Sequence, residues 1–187
     1  MIRSADIVSE ELLVLAAQAG DVAAFERLLR LWLPGMRRHA VRMTGDQAAS
    51  DDVCQDACAA LVGALARVND PARARACAYR IVTNRSIDWI RSRRRQRRLE
   101  HDSRAAPVPA APVHPTGALD SERRAELIRG ACGRLPAELG AVISLYYGES
   151  LSIASIAVAI GAPIGTIKSR LHDARTQLRS ILERTNP

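Results

Sequence analysis

Asp21 to Met43 reads DVAAFERLLRLWLPGMRRHAVRM, and the spacing of its apolar residues decides the fold. Val22, Phe25, Leu28, Leu29, Trp32, Met36, Ala40 and Met43 step by three or four positions, as they must if one face of an α-helix is to enter a core. Asp21 offers an N-cap acceptor, Gly45 a stop, and Pro34 a place to kink between them. Upstream, Ser9 predicts the cap of a short helix through Leu12, Leu13 and Ala16 that Gly20 ends. Downstream, Val53, Ala57, Leu61, Leu65 and Val68 repeat the helical period, and a turn at Asn69-Asp70-Pro71 precedes a long helix from Ala72 to Leu99.

The same period returns near the C-terminus. Ser121 begins a segment with Leu127, Ile128, Ala131 and Leu135 inward; Pro136 opens another, carrying Leu139, Val142, Ile143 and Tyr146, which Gly148 breaks. A short helix from Ser152 to Ile160, a turn at Gly161-Ala162-Pro163 and a longer helix with Ile167, Leu171, Ala174, Leu178 and Ile181 inward spell a helix-turn-helix. Between the two helical blocks, Pro107, Pro109, Pro112 and Pro115 are too close together for helix or sheet. They predict an extended, flexible Pro-rich linker over 101–120, separating a block at 1–100 from one at 121–187. The fold class is therefore all-α, with two helical domains.

Composition narrows the function. The chain has 187 residues, 48% of them apolar and only 3% aromatic, and carries 27 basic against 20 acidic side chains for a net charge of +7. Every basic residue but Lys168 is arginine, and the isoelectric point is near 10.0. Such a balance implies an anionic partner, most often nucleic acid. No apolar run approaches the roughly 18 residues of a spanning helix and no secretory pattern opens the chain, so cytoplasmic localisation without membrane insertion is expected. Cys54, Cys58, Cys77 and Cys132 form no C-x-x-C pair and no His completes a zinc site. Cys54 and Cys58, one turn apart, are expected to be small, partly buried helix residues, so no metal and no cofactor is predicted.

Charge is also segregated. Between Met43 and Ala66 no basic residue occurs, while Asp51, Asp52 and Asp56 gather on one helix; either the helix dipole or a basic partner accounts for them. Residues 73–98 then hold ten arginines against the single acid Asp88. Like charges at neighbouring helical positions repel, and phosphate is the expected compensating anion, ahead of a solvated tail or anionic lipid. In the helix-turn-helix the second helix is expected to meet the major groove through Thr166, Lys168, Ser169, Arg170, His172 and Arg175.

The motifs together resemble those of bacterial RNA polymerase sigma factors of the extracytoplasmic-function type. Gly20-Asp21 with Phe25 matches the opening pattern of that family. Asp51-Asp52-Val53-Cys54-Gln55-Asp56 matches its acidic helix, and Tyr79-Arg80-Ile81 through Asn84, Asp88 and Arg91 its basic one. Arg134-Leu135-Pro136 and Gly165-Thr166-Ile167-Lys168-Ser169-Arg170-Leu171 match its C-terminal domain. The resemblance implies that Asp51, Asp52, Gln55 and Asp56 bind the clamp of the largest subunit of core RNA polymerase. It further implies that Arg80, Asn84, Arg85, Asp88, Arg91, Arg94 and Arg95 read and open the −10 promoter element, capturing single-stranded DNA. The helix-turn-helix would read the −35 element as duplex, the free protein would be a monomer, and an anti-sigma factor would restrain it. Cys77-Ala78, Ser155 and Ile164 stand where relatives carry Trp-Leu, Glu and a polar residue, so promoter sequence does not transfer.

Other classes fit less well. No H-E-x-x-H, G-x-x-x-x-G-K-[ST] or G-x-S-x-G motif is present, which argues against an enzyme. A freestanding dimeric helix-turn-helix regulator accounts for the second block but not for an acidic helix followed by an arginine-rich one. With six aromatic residues in all, the chain offers little stacking surface for RNA.

Overall fold

The computed structural model describes residues 4–101 and 119–185. Among them only helices and turns occur: α1 (Ser4–Gln18), α2 (Val22–Thr44), α3 (Gln47–Leu65), a 3-10 turn (Pro71–Arg73), α4 (Ala74–His101), α5 (Leu119–Gly133), α6 (Ala137–Ile143), a π turn (Ser144–Gly148), α7 (Ile153–Ile160) and α8 (Ile164–Thr185). The linker expected at 101–120 lies, for residues 102–118, outside the described residues.

Local chemistry sets the helix ends. Asp21 Oδ1 accepts from the Ala24 amide at 3.1 Å, and Asp46 Oδ1 does the same for Ala49 at 3.1 Å, each satisfying an N–H that the first turn would otherwise leave unpaired. Ser152 Oγ caps α7 through the Ser155 amide at 3.0 Å. Some boundaries differ from the sequence expectation. Ser9 lies inside α1, which begins at Ser4, so it is not a cap. Pro136 is the N-cap of α6 rather than its first residue, and α2 runs unbroken through Pro34. The long helix starts at Ala74, because Pro71 and the Asp70 carboxylate, which accepts from the Ala72 amide at 3.1 Å, first wind a tighter turn.

The N-terminal domain packs α1 to α4 around Leu28, Trp32, Met36, Ala40, Val53, Leu61 and Val82. Trp32, despite being buried, satisfies its indole N–H on Glu10 Oε1 at 2.6 Å, which ties α2 to α1. Gln18 fastens the other end of α1 by donating to the Leu65 and Val68 carbonyls at 2.9 and 2.7 Å. Val22, at the edge of the stripe, is 69% exposed, as is much of Ile128 in the C-terminal domain. That second domain buries Leu135, Val142, Leu145, Ile156, Ile167, Leu171 and Ala174.

The two domains are in contact. Tyr79, from the middle of α4, is fully buried and belongs to the C-terminal core rather than its own.

Candidate nucleic-acid interface

On α4, Arg80, Asn84, Asp88, Arg91, Arg94 and Arg95 are all exposed. At about 100° per residue they fall within one face of the helix, roughly a third of its circumference. Arg85 is exposed too but stands about 100° round from Asn84, so the structure does not bring it into the stripe. The inward side of α4 uses Ala74, Ala78, Val82 and Ser86, which are buried and hold the stripe outward. Asp88, Arg91, Arg94, Arg95 and Arg98 line one open groove. Arg91 donates to Glu138 Oε1 of α6 at 3.2 Å, while Arg93 lies 5.9 Å from the Trp89 ring centroid. A row of guanidinium groups around a single carboxylate suits an anionic backbone, since each arginine is permanently charged and offers a planar fork of donors.

The helix-turn-helix is formed by α7 and α8. Gly161 occupies the left-handed region, φ 71°, and its amide donates to the Ala157 carbonyl, closing α7 in a way a side chain would strain. On α8, Ile167, Leu171 and Ala174 are buried, and Lys168, Ser169 and His172 point away from them into solvent. Thr166 and Arg170 are half-buried on one flank. Ser169 Oγ is turned back to the Thr166 carbonyl at 3.1 Å. Arg175, on the other flank, is held by its own domain. Its Nε donates to Tyr147 Oη at 2.9 Å, and its guanidinium lies 5.7 and 5.6 Å from the Tyr146 and Tyr147 ring centroids.

On α3, Asp51, Asp52, Gln55 and Asp56 are exposed together, opposite the buried Val53, Cys54, Ala57 and Leu61. None of the three acids lies in the first turn, because the helix starts at Gln47. The dipole explanation for this patch therefore fails, since that stabilisation fades beyond the first turn. Asp51 accepts a two-pronged contact from Arg37 of α2, Nε at 2.7 Å and Nη2 at 2.9 Å; Asp52, Gln55 and Asp56 remain available to a partner.

Cys54 and Cys58 are free thiols. Burial, then the neighbouring Cys58 and Asp51, push the Cys54 thiol up to about 11, and burial raises Cys58 as well, so neither is a ready thiolate. Among the described residues no cluster of His, Cys, Asp and Glu could hold a metal ion, and no helix is long and apolar enough to cross a membrane.

Sequence reasoning missed a polar cluster where the domains meet. The Glu149 carboxylate is 1% exposed and accepts from Tyr79 Oη at 2.8 Å, from Arg38 Nη2 at 3.3 Å and from Arg42. Next to it, His39 is fully buried between Ser144 Oγ, 2.8 Å from Nδ1, and Thr83 Oγ1, 2.9 Å from Nε2. Arg42 Nε donates to Ser144 Oγ at 2.9 Å, and Thr83 Oγ1 donates to the Tyr79 carbonyl at 2.7 Å. Those donors leave Ser144 to donate to Nδ1 and make Nε2 the protonated nitrogen of a neutral imidazole. Burial, reinforced by the Arg42 charge, accordingly lowers His39 to about 3. A weak signal was present: Gly35 in mid-helix, where glycine is unfavourable, and polar residues recurring on an otherwise apolar face.

Comparison with known proteins places this geometry in a family. Residues 28–96 match the family model for sigma-70 region 2, and residues 125–178 that for sigma-70 region 4. The ECF RNA polymerase sigma factor SigL of Mycobacterium tuberculosis is 34% identical over 172 residues, covering 91% of this chain and 95% of that protein. The fold is similar to that of RpoE from Bartonella quintana, solved in complex with the anti-sigma factor NepR, with a TM-score of 0.66, 26% identity and coverage of 87% of this chain and 98% of that one. It is also similar to that of CnrH, solved with the cytosolic domain of CnrY, with a TM-score of 0.68, 22% identity and coverage of 94% of this chain and 98% of that one. The chain belongs to the ECF family of RNA polymerase sigma factors.

Proposed function

We propose that the protein binds core RNA polymerase as a single copy and directs initiation at its own set of promoters, with residues 1–100 as the polymerase-binding and −10 domain, 101–120 as the linker and 121–187 as the −35 domain. The separation of an acidic face on α3 from an arginine face on α4 carries this reading, because one protein must hold both a basic protein surface and DNA. Asp52, Gln55 and Asp56, with Asp51 once it exchanges Arg37 for a polymerase cation, form the core-binding set.

Arg80, Arg91, Arg94 and Arg95 neutralise phosphates along the −10 element, Arg85 approaches from the side of the helix, and Asn84 and Asp88 lie where an unpaired base would meet them. Holding one strand open needs this pairing of charge neutralisation with capture of extruded bases. Lys168, Ser169 and His172 face the −35 duplex, with Thr166 and Arg170 on the flank; Arg175 acts chiefly by fixing α8 against Tyr147. The protein works by binding, in the cytoplasm and, within holoenzyme, on the nucleoid. An anti-sigma factor restrains it, as NepR partners the similar RpoE.

Reconstitution tests the assignment: replacing Asp51, Asp52 and Asp56 together with asparagine is expected to abolish complex formation with sigma-free core polymerase while DNA contacts persist. Unchanged core binding would remove these residues from the interface.

A further inference from the structure

The solvent face of α8 carries an acid among its cations. Asp173 is exposed, and at about 100° per residue Ser169, Asp173 and Thr176 share an arc of about 60° on the side turned away from Ile167, Leu171 and Ala174. It is the single acid among the first nineteen residues of the helix, which also hold Lys168, Arg170, Arg175 and Arg179. We propose that Asp173 is a specificity-determining residue that accepts a hydrogen bond from a cytosine amino group in the major groove. The inference rests on the sigma-factor reading above and adds base identity to it.

Stability does not account for a carboxylate at this place. Asp173 is the tenth residue of α8, beyond the first turn where a helix dipole favours negative charge. Arg170 and Gln177 stand three before and four after it, at the spacings where side chains of one helix meet. Even so, among the described residues Asp173 makes no hydrogen bond and no ion pair. Arg175, the other neighbouring cation, is drawn to the Tyr147 hydroxyl and the two tyrosine rings. The acid therefore meets whatever α8 binds without a compensating charge of its own.

Duplex DNA is selective about such a group. Phosphates repel a carboxylate, and so do guanine O6 and N7 and thymine O4 in the groove, because an ionised Asp has lone pairs but no proton to give. Two bases offer a donor there. Adenine N6 lies next to the N7 acceptor, which suits the mixed amide of Asn or Gln, whereas the N4 amino group is all that cytosine presents to a polar side chain. An acceptor-only side chain on a helix otherwise furnished with donors selects cytosine, and it rejects the other bases by repulsion as well as by the lost bond.

Base selection by reconstituted holoenzyme tests this, on a duplex fragment from which it starts transcription, randomised across the upstream element. Wild type is expected to retain a cytosine at one position, on either strand, by about 5- to 150-fold over the other bases. Asp173→Asn is expected to move that preference towards adenine, because an amide both donates and accepts. Asp173→Ala is expected to lose it while the other positions hold. Helix content by circular dichroism is expected to match wild type, since the replaced side chain is exposed. Identical selected sequences from all three chains would overturn the proposal. So would a gain in affinity for every sequence alike, which would leave Asp173 as repulsion alone. If no chain binds core, the sigma reading falls instead, and the same selection by the free chains from random duplexes decides the base contact by itself.

Discussion

His39 and Glu149 concentrate the electrostatic interest of the molecule at the scale of single residues. Because the folded His39 is pushed down to about 3 from 6.5, the folded state refuses a proton that the unfolded chain accepts anywhere between those values. Its contribution is complete above pH 6.5 and declines as pH falls towards 3, at up to about 1.4 kcal/mol per pH unit. Arg42 of its own helix is the charge that acts on it, and the Tyr79 ring of α4 stands 5.9 Å from the imidazole. Thermal melts between pH 7 and pH 4 are expected to fall more steeply for wild type than for His39→Gln; parallel slopes would show that His39 titrates freely. In the core, Leu61→Ala removes a fully buried side chain and is expected to cost about 2–5 kcal/mol in denaturant unfolding. Of the polar cluster around Glu149 and His39, the sequence showed only the mid-helix Gly35 and polar residues on an otherwise apolar face. The partners of Glu149 lie 70 to 111 positions from it in the chain, and a Glu or an Arg read in isolation belongs to solvent.

Among elements, the helices were the legible part, because each is fixed by period and caps within a few residues. Asp21 caps as expected, and α7, its turn and α8 fall where the glycine and proline place them. Ser9 misled because α1 continues upstream of it; a capping residue is also tolerated inside a helix when its neighbours favour one. Asp46→Ala is expected to destabilise α3 by about 1 kcal/mol, since one cap bond to Ala49 is lost; an unchanged melting temperature would count against that cap. Replacing Asp51, by contrast, is expected to move stability by only about 0.5 kcal/mol, because its pair with Arg37 is roughly half exposed on both sides. On α8, loss of Arg170 is expected to weaken −35 binding by about 1–3 kcal/mol at one base position if it contacts a base. A uniform loss across DNA sequences would mark a phosphate contact. The stripe on α4 was legible as charge, whereas its offset from Arg85 appears only when the helix is wound.

Over the whole molecule, the all-α class and the two domains follow from patterning that needs no partner. The contact between the domains does not, because it is specified by space: Gly35, Gly148 and the small side chains Ala76, Ala154 and Ala157 around the groove between α4 and α7. Ser155 and Ile164, two of the departures from relatives, line that same groove. Promoter choice conferred on core polymerase is the property that the acidic face, the arginine stripe and the helix-turn-helix together require of this chain. Its most direct test is to mix the purified protein with sigma-free bacterial core and map transcript starts on genomic promoter fragments. A stable complex starting at defined sites that core alone ignores is the predicted result. A protein that binds duplex DNA as a dimer, forms no complex with core and starts no transcripts would contradict it.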